Sequence, residues 1–168
     1  FTQGAELNLK YQLLKNFSIS GGYQYLITGD KDILEQIKKG SVFGRDIVGG
    51  PARLMTKADY SGLFNRSRHM ANLRLFFDDA KSGWAASLRF IYRSRFGVVD
   101  KDGNGFANMD EEFAPAMLQV HATVSKQLNK QFNIQAGINN LLNQTNARFM
   151  PNMPSRNVFI AIHYTFKK

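Results

Sequence analysis

The chain has no cysteine among its 168 residues. That excludes a disulfide scaffold, a cysteine-held zinc site and thiol catalysis. Long apolar runs are missing as well. The longest is Val158-Phe159-Ile160-Ala161-Ile162, whereas a helix needs about 20 mostly apolar residues to cross a bilayer. No helical span is therefore expected. No basic-then-apolar leader opens the chain. It begins at Phe1 without Met, as a mature or cut polypeptide would. Acidic residues are outnumbered, 13 against 22 Lys and Arg, for a net charge of +9. No aromatic-basic interleaving or recognition motif accompanies that charge, so no nucleic-acid partner is expected. His69, His121 and His163 are the only histidines. No pair of them has metal-ligand spacing, and structural hydrogen bonding is the role expected of each. No Ser/His/Asp arrangement can be drawn, and no enzyme activity is expected.

What the sequence does have is a period of two. Ala5, Leu7, Leu9, Tyr11 and Leu13 alternate with polar neighbours, and so do Phe17, Ile19, Gly21, Tyr23 and Tyr25. The same alternation runs through Ala71 to Phe77, Trp84 to Tyr92, Leu118 to Val124, Phe132 to Ile138 and Val158 to Phe166. Successive side chains of a strand point to opposite faces, so each segment has one apolar face. Strands are expected near residues 5–13, 17–26, 66–77, 84–96, 116–125, 132–139 and 157–166. These are longer than the usual five or six residues of a soluble sheet.

The connections alternate strictly. Leu13 to Asn16, Asp78 to Gly83 and Lys126 to Gln131 are short, and Leu26 to Asn65, Gly97 to Pro115 and Asn140 to Arg156 are long. Trimmed turns at one end and elaborate loops at the other match a bacterial outer-membrane barrel. A soluble barrel also has one apolar face per strand, so the polar face is the better witness. Ser18, Ser20, Gly22 and Gln24, then Asn133, Gln135, Gly137 and Asn139, are small and uncharged. They suit a lumen that packs against something polar. Tyr11, Phe17, Phe77, Trp84, Phe132, Tyr164 and Phe166 lie beside the short turns or the C-terminus, with Tyr25 and Tyr92 at the other end. Two aromatic belts around an aliphatic band fit two membrane interfaces. Leu7, Ile19, Leu73, Leu88, Val120, Ile134 and Ile160 are expected to face lipid. Ser20, Arg89, Thr123, Gln135 and His163 are expected to face the interior. Seven strands cannot close a membrane barrel, and an open edge in lipid is costly. Further strands of the same protein are expected to complete it.

The C-terminal third carries a recognisable run. Gly137-Ile138-Asn139-Asn140-Leu141-Leu142-Asn143 is followed by Met150-Pro151-Asn152-Met153-Pro154-Ser155-Arg156 and a final strand ending in Tyr164-Thr165-Phe166. This resembles the end of TonB-dependent outer-membrane receptors, with G-x-x-N-L-[FL]-[ND], a P-G-R-like step and a terminal aromatic-x-Phe. Ser155 stands where Gly is common before Arg156, and Lys167 and Lys168 follow the terminal aromatic. Asn65-Arg66-Ser67-Arg68-His69 and Tyr92-Arg93-Ser94-Arg95-Phe96-Gly97 also look like the forms in Bacteroidetes-type members. The resemblance implies an all-β, antiparallel transmembrane β-barrel, of which residues 1–168 would be seven C-terminal strands in a 22-stranded, plugged whole. It implies location in the outer membrane of a Gram-negative bacterium. Its implied activity is TonB-dependent import of a scarce ligand: a ferric siderophore, haem or cobalamin. A passive porin or adhesin-type barrel is the alternative. The implied partners are the plug and N-terminal strands of the same receptor, TonB acting through that plug, the lipid bilayer and a surface lipoprotein docking on the long loops. No cofactor is required by this reading.

Three constellations remain. Asp100, Asp102, Asn104, Gly105 and Glu111 satisfy D-x-[DN]-x-[DN]-G-x5-E, which is the spacing of a Ca²⁺ loop. Asp-Gly and Asn-Gly are also ordinary turn formers, so a solvated acidic turn is the competing reading. By parity Arg66, Arg68 and Arg74 share the polar face of the third strand, and Arg89, Arg93 and Arg95 that of the fourth. Arg66, Arg68, Arg93 and Arg95 lie at the outer end. They would either bind an anionic ligand or pair with carboxylates of the plug or loops. Last, Ile33, Leu34 and Ile37 have helical spacing within 32–39, so a short helix ending at Gly40 is expected in the first long loop.

Overall fold

The computed structural model describes residues 1–166. Lys167 and Lys168, where the sequence departs from the receptor ending, lie outside the described residues. Seven long strands carry the fold: β1 (Thr2–Leu14), β2 (Phe17–Thr28), β3 (His69–Asp79), β4 (Trp84–Arg93), β5 (Met117–Gln127), β6 (Phe132–Asn139) and β7 (Asn157–Tyr164). They make one sheet in chain order, each bonded to the next. The connections are residues 15–16, 80–83 and 128–131 in turn with 29–68, 94–116 and 140–156. This is the expected alternation of short and long. The tight turns are locally encoded. Gly83, at φ 72°, donates its N–H to Asp79 O, and Asn129 Oδ1 accepts the N–H groups of Gln131 and Phe132.

Register aligns the apolar face. β6 pairs antiparallel with β7, placing Ile134 opposite Ile162, Ala136 opposite Ile160 and Ile138 opposite Val158. Leu7, Leu9 and Tyr11 of β1 and Val158, Ile160 and Ile162 of β7 are exposed, Ile160 by 76%. Water disfavours an aliphatic surface of this extent, whereas a bilayer is its solvent. The polar face instead bonds to itself: Ser87 Oγ lies 2.8 Å from Thr123 Oγ1. One expectation fails. Val120, placed toward lipid by parity, is only 6% exposed. The chain turns back after β6, and Leu141 donates its N–H to Val120 O at 2.7 Å.

Contacts divide the chain into two compact units. One comprises Phe1–Glu6, Gln24–Met70 and Arg93–Met117; the other comprises Leu7–Tyr23, Ala71–Tyr92 and the chain from Leu118 onward. The first unit holds a water-excluded core made entirely by long connections. Ile37, Val42, Met55 and Phe106 are buried together, with Ile33 and Tyr60 packed against them. Helix α1 (Lys31–Lys38) supplies Ile33 and Ile37 from one face. Asp30 caps its N-terminus by accepting the N–H groups of Asp32 and Ile33, and Gly40 at φ 69° ends it.

Several strand boundaries differ from expectation by two or three residues, and two of these differences bear on the charged groups. β3 starts at His69 instead of residue 66, because Asn65 adopts φ 59° and its N–H goes to Gly97 O. β4 ends at Arg93 instead of residue 96. Phe96–Gly97 leaves the sheet and pairs with Phe113–Ala114 inside the second long connection.

Candidate functional site

The long connections place the charged groups. Arg66 and Arg68 are exposed and precede β3, so they are not strand residues. Together with Arg95 they line an opening of about 380 Å³, whose other walls include Tyr60, His69, Phe96 and Phe113. Tyr60 donates no charge there: burial raises its phenol above the usual value. Arg93 is not on that lining. Its Nε donates to Ser67 Oγ at 2.7 Å, its Nη2 to Asn65 O at 3.0 Å, and its guanidinium lies 3.8 Å over the Phe96 ring. Arg95 lies 4.0 Å over the Phe113 ring and pairs with exposed Asp110 at 3.0 Å. The four arginines therefore do different things. Arg93 braces the loop entry, Arg95 is half committed to Asp110, and Arg66 and Arg68 present their charge at the surface.

Beside the opening, Arg53 is clamped between Asp46 and Asp59 at 2.6 and 2.7 Å. The Arg53 guanidinium first, then Thr56, holds the Asp59 carboxyl well below the usual range. This network closes the hairpin of Phe43–Arg45 with Ala52–Leu54.

The acidic loop departs from the spacing rule. Asp100 accepts the N–H groups of Gly103 and Gly105 at 2.7 Å each, and Gly105 makes the sharp turn at φ 93°. Asn104 Oδ1 accepts from Phe106 N, and its Nδ2 donates to Asn108 Oδ1. Glu111, expected as the twelfth-position ligand, is exposed and stays outside the cluster. Glu112, one residue on, is fully buried and supplies the third carboxylate. A single 3-10 turn at Asp110–Glu112 replaces the helix that an EF-hand would start there, and it swings the later residue inward. Glu112 accepts the N–H groups of Lys101, Asn108 and Met109. Burial above all, then the Glu112 and Asp100 carboxylates, keeps the Asp102 carboxyl above its ordinary value, against the N–H of Arg45.

The last long connection is built on Asn140, which is buried and sits at φ 51°. Its Nδ2 donates to Gln144 O and Pro154 O, and its Oδ1 accepts from Gln144 N. Asn143, also at φ 51°, accepts the N–H of Arg156. These are the two asparagines of the receptor-like run. Their side chains fold residues 140–156 back on themselves.

Sequence reasoning missed the buried core of Val42, Met55, Phe106 and Met109 in the long connections. It also missed Glu112 and the Arg53 clamp. The signal was available only as large apolar residues inside segments otherwise rich in Gly, Asp and Asn.

An antiparallel sheet with an uncovered apolar face, trimmed turns and folded loops defines a portion of a transmembrane β-barrel. The chain belongs to the TonB-dependent receptor family: the family profile described as TonB dependent receptor-like, beta-barrel matches residues 1–141. That places it in the outer membrane of a Gram-negative bacterium. No curated protein matches the sequence. Among solved structures, the chain is similar to a mutant form of the ferric enterobactin receptor PfeA from Pseudomonas aeruginosa. The TM-score is 0.63 at 13% identity, over 98% of this chain and 22% of that one. It is similar to the siderophore receptor PiuA from Acinetobacter baumannii, with TM-score 0.61 at 17% identity, over 97% of this chain and 21% of that one. It is also similar to the copper transporter OprC, with TM-score 0.59 at 16% identity, over 98% and 24%. At these identities the likeness concerns the fold. The chain spans under a quarter of the length of the solved relatives.

Proposed function

We propose that the intact receptor imports an anionic ligand in a TonB-dependent way, and that Arg66, Arg68 and Arg95 meet it first on this portion. The observation that carries the reading is the shared opening: three guanidinium groups and the rings of Tyr60, Phe96 and Phe113 line one space. Guanidinium groups make charge-assisted hydrogen bonds to oxyanions and steer them from a distance. Aromatic walls suit a catecholate or a porphyrin as well. Ferric siderophore and haem are the anionic cargo classes in view; cobalamin, with no net negative charge, is the third class and would not draw on the arginines. The solved relatives named above are a ferric enterobactin receptor, a siderophore receptor and a copper transporter.

In this reading the plug and earlier strands of the same receptor complete the barrel, and TonB pulls on the plug. The small uncharged polar face of β2 and β6 suits packing against such a plug better than an open, strongly charged porin eyelet. The helix and core of the first long connection offer a lid over the opening or a dock for a surface lipoprotein. The test is growth of a deletion strain on each ligand as sole limiting source, with and without TonB. Uptake that survives loss of TonB rejects active transport and leaves a passive barrel.

A further inference from the structure

Three cations stand in one row on the polar face of the second unit. The ladder bonds set the register. Asp78 donates its N–H to Asn16 O, and Gly22 lies between Asn8 and Asn72, so Ser20 stands between Lys10 on β1 and Arg74 on β3. Ser94 donates its N–H to His69 O, and residues 80–83 join Asp79 to Trp84, so Arg74 stands opposite Arg89 on β4. Gln127 donates its N–H to Gly83 O, and Ser87 meets Thr123, so Arg89 stands opposite His121 on β5. His121 Nδ1 lies 3.1 Å from Asn139 Oδ1 on β6. Lys10, Ser20, Arg74, Arg89, His121 and Asn139 thus cross six strands in sequence.

Arg74 and Arg89 repel each other. They fall between hydrogen-bonded pairs, where facing Cα atoms are about 4.5 Å apart and side chains closest. Like charges directly opposite destabilise a sheet. The Arg74 guanidinium leans toward the Phe76 ring, 5.3 Å from its centre. Lys10, Arg74 and Arg89 are all exposed, and none of them forms an ion pair among the described residues. Of the described polar-face residues of this unit, Asp78 alone carries a carboxylate. It lies four residues from Arg74 along β3, a distance of about 13 Å.

We propose that Lys10, Arg74 and Arg89 seat a carboxylate-bearing segment of the same receptor against the barrel wall. The proposal rests on the reading above that a plug fills the barrel, and it assigns an acidic surface to the part of the plug that meets β1 to β4. The chain outside this portion is long enough to supply it, since this portion spans under a quarter of its solved relatives. The charge pattern calls for a resident partner. Cargo is present only in transit and leaves the Arg74–Arg89 repulsion uncompensated at rest. Fixed carboxylates offset it at all times, and each can pair bidentately with a guanidinium.

The intact receptor, purified without cargo, is tested in two ways. A water-soluble carbodiimide joins amines to the carboxylates they touch, and mass spectrometry of the digest locates the joins. In Arg74→Lys/Arg89→Lys, Lys10 and both substituted side chains are expected to join Asp or Glu residues of the plug. Joins to Asp78 or other barrel carboxylates alone, or none in a folded receptor, overturn the seat. In planar bilayers, urea releases a plug and opens a conductance. Arg74→Gln/Arg89→Gln and Arg74→Glu/Arg89→Glu are expected to open at lower urea than the parent, the reversed pair at the lowest. Heat-modifiable gel migration reports a folded barrel, and if the reversed pair does not fold, the Gln pair decides. Opening at the parent's urea concentration overturns the seat, also where cargo uptake falls, because the arginines then serve the passing ligand. A parent that conducts without urea has no plug, and the plugged-barrel reading then fails together with the seat.

Discussion

Arg93 reaches from the end of β4 to Ser67, its Nε 2.7 Å from the Ser67 hydroxyl. Ser67 is almost wholly buried and its hydroxyl donates a hydrogen bond to Ser94 O at 3.0 Å. This relay, with Arg93 stacked on Phe96, fixes where the first long connection enters β3. Removing Arg93 leaves Asn65 O without that donor and Phe96 without its cover. Arg93→Ala is therefore expected to destabilise the loop entry by about 1–3 kcal/mol. Arg66→Ala with Arg68→Ala should leave stability near the parent value, because both side chains are exposed. The double variant should instead weaken ligand capture and flatten its salt dependence. Thermal unfolding and ligand binding, measured on both, separate the two roles. If the double variant binds an anionic ligand like the parent, the surface arginines do not capture it.

The apolar face predicts an asymmetry within single strands. Ile160 sits mid-strand on β7, opposite Ala136 and 76% exposed. Ile160→Arg should cost about 2–4 kcal/mol of folding stability in lipid, as should Leu88→Arg. Folding into vesicles of matched thickness, followed against denaturant, gives the number. Indifference to both changes means that this face does not meet hydrocarbon.

The acid sensitivity of the first long connection follows from the Arg53 clamp. Asp46 and Asp59 are both held below the ordinary carboxylate value of 3.8, chiefly by the Arg53 guanidinium. A depressed carboxyl contributes stability above its unfolded value and loses it as pH falls toward the folded one. The hairpin over residues 43–54 should therefore be protected at neutral pH and open progressively as pH falls below about 4. Hydrogen exchange of these amides at a series of acid pH values checks this. In Arg53→Ala the pH dependence should shrink, since Asp46 loses its partner and Asp59 keeps only Thr56.

How much of this was legible in sequence depends on distance along the chain. Strand periodicity is a local property, so Leu7 to Leu13 and Val158 to Ile162 announced their faces directly. The helix over residues 31–38 was readable for the same reason: Asp30, Ile33, Ile37 and Gly40 lie within three turns. The loop core was not readable, because Val42, Met55 and Phe106 have no common period and meet only after two connections fold. The acidic loop shows how a spacing rule fails. The pattern assumes that a helix begins at its last ligand; a single 3-10 turn at Asp110–Glu112 starts there instead, and the inward carboxylate moves from Glu111 to Glu112. Parity misled in a related way at Arg66 and Arg68. It assumes that the strand reaches back to residue 66, whereas β3 begins only at His69 and both arginines lie in the approach to it.

The last long connection should depend on one amide. Asn140 combines a left-handed backbone, near-complete burial and three side-chain hydrogen bonds to Gln144 and Pro154. Asparagine tolerates positive φ better than other residues with a side chain, and its amide offers both donors and an acceptor. Asn140→Ala loses all three bonds and strains the backbone; Asn140→Gly loses the bonds but relaxes φ. Each part-buried hydrogen bond lost costs about 0.5–1.5 kcal/mol. Both variants should therefore expose residues 140–156 to exchange and proteolysis, with Asn140→Ala the worse of the two. The barrel strands β5 and β6 should keep their protection, because their ladder bonds do not involve Asn140. Amide exchange resolved by segment tests this directly. Equal protection of residues 140–156 in the parent and Asn140→Ala shows that backbone packing alone holds this connection, and that the asparagine of the receptor-like run has another role.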